Sequence, residues 1–306
     1  MLRFSAMTLD RYSTQRKDSS WVKGQMLNAG FLILCEDKNL VCRDSYQPIF
    51  FSYEQILSFS LAGSEMVFLG GQSGQSVFAV DISGAGMVDA RQFSDSGQWS
   101  ELRQIAPQLD NGTASVLMLS RGLCHWHRNN RFCGRCGHPT RPIEAGHSII
   151  CSNAVCGYQT FPRTDSAVIM IVTKQFDDGV ERILLGRQRS WVKGVYSCLA
   201  GYVDQGETLE QAVRREVFEE SGIIVGDVKY IASQPWLFPS SLMLGFTAIA
   251  ETDQINVDKD EIESAEWFSR DELVRFAEYG DDVDGFKLPR QDSISSFLMA
   301  QWLNKN

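Results

Sequence analysis

The stretch GYVDQGETLEQAVRREVFEESGI, Gly201–Ile223, decides the fold. Gly206, Glu207 and Thr208 precede an apolar-periodic run, and Thr208 with Gln211 three residues on makes a capping-box pair. The pattern predicts a helix that starts near Leu209 and stops near Ser221, with Gly222 as its C-terminal glycine. At ~100° per residue, Leu209, Ala212, Val213 and Val217 fall on one stripe. Glu216, Glu219 and Glu220 point toward that stripe, while Gln211, Arg214 and Phe218 occupy the opposite side.

Simple folding rules disfavour that placement. Like charges three or four positions apart on a helix repel, and carboxylates in the last turns oppose the macrodipole. A divalent cation resolves the conflict. Hard oxygen donors suit Mg²⁺ or Mn²⁺, and this spacing lets several carboxylates converge on one small volume. A diphosphate bound there would have its charge neutralised, and a water could be activated to attack phosphorus. The bland alternative is a solvated acidic face laced with Glu/Arg pairs.

Gly201, Glu207, Arg215, Glu216, Glu219, Glu220 and Gly222 stand in one register, with Val217 and Ile223 aliphatic. Background frequencies give that register a chance probability on the order of 10⁻⁷ in a chain of this size. It resembles the Nudix box, the signature of enzymes that hydrolyse nucleoside diphosphates linked to another group, and it matches at every fixed position. The resemblance implies that Glu216 and Glu220 are metal ligands, joined by Glu219 as ligand or catalytic base. It implies that Arg215 fixes the carboxylates through a charge-assisted hydrogen bond shared with Glu207. The backbone carbonyl of Ala200 would complete the metal shell.

A second run, SQPWLFPSSLM from Ser233 to Met243, resembles the SQPWPFPxS motif of the NADH pyrophosphatase subfamily, with Leu237 in place of the central proline. Pro235 and Pro239 restrict the backbone on either side of Trp236 and Phe238. A stiff loop presenting two aromatics is expected to stack on nicotinamide or adenine. Gln234, Ser240 and Ser241 are expected to hydrogen-bond phosphate, ribose or amide groups. The competing reading makes Trp236 and Phe238 ordinary core aromatics. The resemblance also implies Tyr202 and Phe161 as pocket aromatics, Glu261 as a further metal-binding glutamate, and Ser295 as a residue closing the pocket.

Cys133, Cys136, Cys151 and Cys156 give C-x2-C-x14-C-x4-C. That spacing predicts a structural zinc ribbon with four sulfur ligands and no open position. The subfamily has such a ribbon just before its Nudix domain, usually with its second pair two residues apart, so the spacing here reads as one longer knuckle. His138 and His147 lie between the pairs, but four sulfurs already fill a tetrahedral shell. Cys35, Cys42, Cys124 and Cys198 sit in apolar contexts and read as small buried hydrophobes. His125 and His127 flank Trp126 near an expected helix end, where a structural role is the better reading.

A chain of 306 residues accommodates two domains and a small insert. The expected fold is α/β: a Nudix α/β/α sandwich over 164–306, preceded by a linking helix and zinc ribbon over 113–163 and a mixed α+β domain over 1–112. In the N-terminal part FLILC, MVFLG and SVFAVDI read as strands between Gly/Ser turns. No internal repeat is visible. No apolar run nears the ~20 residues needed to span a membrane, and the first residues lack a signal-peptide centre, so a cytoplasmic location is expected. The net charge of −9 argues against broad electrostatic binding to nucleic acid. The resemblance implies metal-dependent hydrolysis of NAD(H) to NMN(H) and AMP, removal of NAD caps from RNA 5′ ends, and a homodimer. The rival readings are an ADP-ribose or nucleotide-sugar pyrophosphatase and, from another class, an inactive nucleotide-sensing module. That module would have lost box glutamates, and Glu216, Glu219 and Glu220 are all present.

Overall fold

Two units trade segments along the chain. Residues 165–235 and 241–306 join residues 1–3 in one unit, and Phe4–Thr164 joins Trp236–Ser240 in the other. The computed structural model describes residues 2–61, 65–83 and 90–304.

The first unit along the chain contains α1 Ser19–Met26, β1 Gly30–Cys35, β2 Lys38–Val41, α2 Tyr53–Ser58, β3 Glu65–Gln72, β4 Gln75–Asp81, β5 Gln98–Glu101, α3 Leu102–Ile105 and α4 Asn111–Asn129. FLILC and MVFLG fall in β1 and β3, and SVFAVDI falls in β4 except for Ile82, which lies just past its end. Their apolar runs are nearly continuous, not alternating, because this sheet is covered on both faces. One face packs Leu32, Leu34, Val67, Leu69 and Ala79 against Leu117 and Cys124 of α4, and the other packs Phe31, Ile33, Phe68, Phe78 and Val80 against Ile56 and Phe93. Asp110 starts α4 by accepting from the Thr113 N–H at 2.9 Å. The ribbon follows as three short strands, β6 Thr140–Ile143, β7 Ser148–Cys151 and β8 Gln159–Thr160, paired in that order. His127 is buried on α4, with Nδ1 2.7 Å from Glu65 and Nε2 2.7 Å from the Gly146 carbonyl, a structural placement.

The second unit contains β9 Asp165–Gln175, β10 Glu181–Arg187, β11 Leu199–Tyr202, α5 Leu209–Ser221, β12 Val225–Trp236, β13 Ser241–Ala250, β14 Ser264–Ser269, α6 Arg270–Leu273 and α7 Ile294–Leu303. Its sheet runs β12-β13-β9-β10-β14, with β11 paired to β9. Ala212, Val213 and Val217 of α5 pack on Val168, Met170, Leu199 and Phe246. Tyr196, Phe268, Leu273, Ile294, Leu298 and Trp302 form a separate cluster with Ile169 and Ile171 of β9. Helices on both faces of a mixed sheet are the expected α/β/α arrangement.

The two sheets follow one path, which the sequence concealed. The N-terminal sheet is ordered β3-β4-β1-β2-β5. In each sheet the first strand of the unit, third in the path, pairs parallel with the second of the path (β1 with β4, β9 with β13) and antiparallel with the next strand in sequence (β2, β10). That next strand pairs antiparallel with the last (β5, β14). Topology repeats while side chains do not, so a search for repeated residues cannot find it.

Candidate active site

The box folds as a strand, a loop and a helix. Leu199–Tyr202 pairs with Ala167–Met170 of β9, which pins Ala200 and Gly201 to the sheet. Thr208 and Gln211 make both bonds of a capping box, fixing the first turn of α5. Gly222 ends the helix in the left-handed region at φ 70°, a conformation glycine adopts without strain.

Arg215 collects the carboxylates. Its Nε and Nη2 donate to the two oxygens of Glu207 at 2.7 and 2.9 Å, and its Nη1 donates to both Glu216 and Glu219 at 2.8 Å. Nη2 also reaches the Tyr202 carbonyl at 2.9 Å, tying helix to strand. Hydrogen bonding to Arg215 holds the Glu207 carboxyl down at about 2, and its partners, Glu207 foremost, raise the guanidinium.

The three helix glutamates differ. Glu220 is buried among the apolar side chains, and one carboxylate oxygen, Oε2, has no hydrogen-bond partner. Burial pushes its carboxyl up to about 8, with Glu216 and Glu261 adding repulsion and the Ala200 N–H opposing it. Glu216 is raised in the same direction, by burial first, against the pull of Arg215. Glu219 departs from the expected orientation: its side chain is 45% exposed against 13% for Glu216, because it lies at the edge of the apolar stripe. Gly201 makes room for Glu216, since a Cβ there would stand 1.9 Å from the Glu216 Cδ. Glu261 is exposed, and its charge contributes to the upward shifts of both Glu216 and Glu220. An orphaned buried oxygen and mutually repelling carboxylates are the conditions a hard divalent cation relieves, so the residues fit the cation the box implies.

The thiols of Cys133, Cys136, Cys151 and Cys156 all lie within 4.8 Å of one another. Among the described residues this is the only set of three or more ligand atoms so close; the box carboxylates are not so tightly gathered. Four converging sulfurs match a closed tetrahedral zinc site.

The SQPWLFPSS loop is placed differently from the expectation of a free platform. Gln234 is fully buried: Nε2 donates to the carbonyls of Arg3 and Asp292 at 3.1 and 2.8 Å, and Oε1 accepts from the Ile294 N–H at 2.7 Å. The amide is committed to backbone, stapling the chain start and the N-terminus of α7 to β12. Trp236, Leu237 and Phe238 pack on the cluster of Phe4, Leu109, Leu117 and Leu123. Guanidinium groups cover both rings, Arg103 at 5.7 Å from Trp236 and Arg121 at 4.9 Å from Phe238. Arg121 also donates to the Leu237 carbonyl, and a Cβ on Gly122 would stand 2.4 Å from Leu237 Cδ1. Nothing in the sequence tied α4 to this loop; the leucine at the usual proline position was the one available signal. Pro235 and Ser240 are half-buried, and Pro239 is exposed after a cis peptide bond with Phe238.

Ser295 is buried as well. Its hydroxyl accepts from Ser197 at 2.8 Å and from the Cys198 N–H at 3.0 Å, so it fastens α7 to the segment before β11. Two of the predicted aromatics do stand open: Tyr202, whose hydroxyl is 3.3 Å from Ser241, and Phe161 at the end of the ribbon.

Known families match three consecutive parts of the chain. The NUDIX domain matches residues 163–287, the NADH pyrophosphatase zinc ribbon domain 128–161, and the NADH pyrophosphatase-like rudimentary NUDIX domain 28–126. A relative named NAD-capped RNA hydrolase NudC, from Mycobacterium bovis, is 36% identical over 244 residues, 78% of this chain and 75% of that one. The chain belongs to the zinc-ribbon NADH pyrophosphatases of the Nudix family. Nudix hydrolase 19, chloroplastic, of Arabidopsis thaliana is 44% identical over 61% of this chain and 42% of its own length. The human protein named NAD-capped RNA hydrolase NUDT12 is 40% identical over 65% of this chain and 44% of its own. The match thus spans less than half of these plant and human Nudix proteins. The rudimentary NUDIX match coincides with the sheet that repeats the path of the catalytic Nudix sheet.

Proposed function

We propose that this Nudix protein hydrolyses the diphosphate of NAD(H), giving NMN(H) and AMP, and removes NAD caps from RNA 5′ ends. The observation that carries the reading is the box itself: Arg215 bonded to Glu207, Glu216 and Glu219, beside a buried Glu220 with an orphaned oxygen. The names and the three-part match of its relatives support the substrate.

Glu216, Glu220, the Ala200 carbonyl and Glu261 would hold Mg²⁺ or Mn²⁺, which supplies charge neutralisation at the diphosphate and acidifies water. Glu219, the most open of the three helix glutamates, accepts the proton of the attacking water. Water oxygen bonds to one phosphorus as the bridging P–O bond breaks, and each product keeps one phosphate. Arg215 holds Glu216 and Glu219 in fixed geometry throughout. Tyr202 offers an open ring for nicotinamide or adenine, and Phe161 is a separate exposed ring on its own unit. The Ser241 hydroxyl lies 3.3 Å from that of Tyr202, and Ser240 precedes it in the chain. The four ribbon cysteines hold one structural Zn²⁺. The protein acts as a cytoplasmic homodimer. Among the described residues no helix is long and apolar enough to cross a membrane.

The test is a product assay with NADH, NAD⁺, ADP-ribose and NAD-capped RNA under one metal condition. AMP is expected from NADH at the highest kcat/KM of the free dinucleotides. Absence of AMP from NADH, with ready cleavage of ADP-ribose, overturns the substrate assignment.

A further inference from the structure

We propose that the zinc ribbon is a single-strand RNA-binding surface that holds the body of a capped transcript. The inference rests on the reading of NAD-capped RNA as a substrate, and it locates a site for the RNA chain beyond the dinucleotide.

The ribbon exposes what a folding module would bury. Phe132 is 67%, Tyr158 45% and Phe161 57% exposed, and Val155 at the tip of the second knuckle stands almost free. Three open rings within about thirty residues are not needed to hold this module together, because four thiols close it around a metal. Bases stack on such rings without regard to sequence.

The charge of the same segment is opposite to that of the chain. Residues 128–161 contain Arg128, Arg131, Arg135 and Arg141 against one carboxylate, Glu144, in a protein of net charge −9. With the two negative charges of a zinc tetrathiolate and that of Glu144, the segment keeps a formal surplus of only one positive charge, so what counts is which arginines face solvent. Arg128 is committed to Asp37 and Asp81, and Arg131 leans on the Ser83 carbonyl at 3.3 Å. Arg135, in the turn between Cys133 and Cys136, and Arg141, at the start of β6, are exposed and extend into solvent.

The backbone brings these groups together. Phe132 bridges Pro139 across the first knuckle, and the Cys151 N–H donates to the Tyr158 carbonyl across the second at 2.9 Å. Ser152 in turn donates to the Pro139 carbonyl, joining the two knuckles. Arg141 sits opposite Ile150, which pairs with Gln159, two residues before Phe161. Aromatic faces interleaved with arginines are the elements of a sequence-tolerant single-strand site. A polyanion with exposed bases satisfies both, whereas a folded acidic protein would leave the rings without stacking partners.

The test uses the full-length, zinc-loaded protein carrying Phe132→Ala, Arg135→Glu, Arg141→Glu and Tyr158→Ala together, with Phe161 left intact. NADH turnover within about twofold of wild type shows that fold and catalytic site survive. On NAD-capped RNA, kcat/KM should then fall by roughly tenfold or more, the weight of one or two lost stacking or phosphate contacts. Anisotropy with the same RNA bearing a 5′-triphosphate should show weaker binding and a shallower salt dependence. Equal losses on NADH and capped RNA, or no loss on RNA, overturn the proposal. Should the variant fail to fold, photo-crosslinking of thiouridine-labelled RNA to the wild-type protein decides: crosslinks within 131–161 support the site, and their absence there overturns it. If wild type cleaves NADH and leaves capped RNA intact, the capped-RNA reading falls, and the uncapped-RNA binding and crosslinks decide the ribbon separately.

Discussion

Glu207 takes both the Nε and the Nη2 of Arg215, at 2.7 and 2.9 Å, across eight residues of chain. That fork fixes the guanidinium plane and leaves Nη1 aimed at Glu216 and Glu219. Lysine has one point of charge and no fork. Arg215→Lys should therefore keep the fold, shown by an unchanged far-ultraviolet spectrum, and lose roughly 10²–10³ in kcat, as expected when a preorganised electrostatic support is removed. A kcat within about threefold of wild type would contradict the role given to Arg215.

Glu220 carries a buried, unpartnered oxygen beside two other carboxylates. Replacing it by the neutral isostere removes that repulsion. Glu220→Gln should melt at the same temperature as metal-free wild type or higher, while the rise in melting temperature with added Mg²⁺ or Mn²⁺ shrinks or vanishes. A variant that loses stability without metal and keeps the full metal-induced rise would show that Glu220 is not a ligand.

Gly201 faces Glu216 with no room for a Cβ. Gly201→Ala should push the Glu216 carboxylate off Arg215, lowering kcat by about tenfold or more, the scale of a displaced catalytic group. Partial recovery in Gly201→Ala/Glu216→Asp, whose shorter carboxylate retreats from the methyl group, would tie the loss to this contact. Equal activity of wild type and Gly201→Ala would refute it.

Gln234 makes three backbone hydrogen bonds in a fully buried position. Gln234→Ala should cost about 2–4 kcal/mol in denaturant unfolding, because it orphans the Ile294 N–H and two carbonyls. The KM for NADH should change little under conditions where the variant is folded. A large KM increase at near-normal stability would return Gln234 to the substrate.

His147 supplies a pH dependence. Its Nε2 is 2.6 Å from the Phe68 carbonyl, and burial, with smaller pushes from Arg16, Arg11 and His127, takes its pKa from 6.5 down to about 4. The folded state favours the neutral ring, so its contribution is complete above 6.5 and is lost as pH falls toward 4. Melting temperatures of wild type and His147→Gln should converge over that window, since the amide can donate to Phe68 without titrating. Parallel curves between pH 7 and 4 would contradict the assignment. Comparing the two proteins removes the shared effect of zinc release in acid.

The features legible in the sequence were local ones. α5 runs from Leu209 to Ser221 because Thr208, Gln211 and Gly222 write its ends into adjacent residues. The ribbon cysteines converge because their spacing and turns are local too. The internal bonds of Gln234 and Ser295 are not legible for the opposite reason: polar residues in a motif look like ligand contacts, and their partners come from Arg3, Asp292 and Cys198, far away in sequence. The aromatic loop depends on Arg121 and Gly122, more than a hundred residues away, and no periodicity links them. The repeated sheet path escaped because strand order is a property of pairing, which alternation along one strand does not encode.

The exchange of segments between the units bears on how the chain is made. Trp236, Leu237 and Phe238 complete a core whose other members all precede Asp165, while Leu2 packs into the core of the unit formed after it. During synthesis the first unit must wait for the whole of residues 165–235 before its cluster closes. Until residue 240 leaves the ribosome, Phe4, Leu109 and Leu123 lack their last neighbours, and that interval is when a holding chaperone would find this chain.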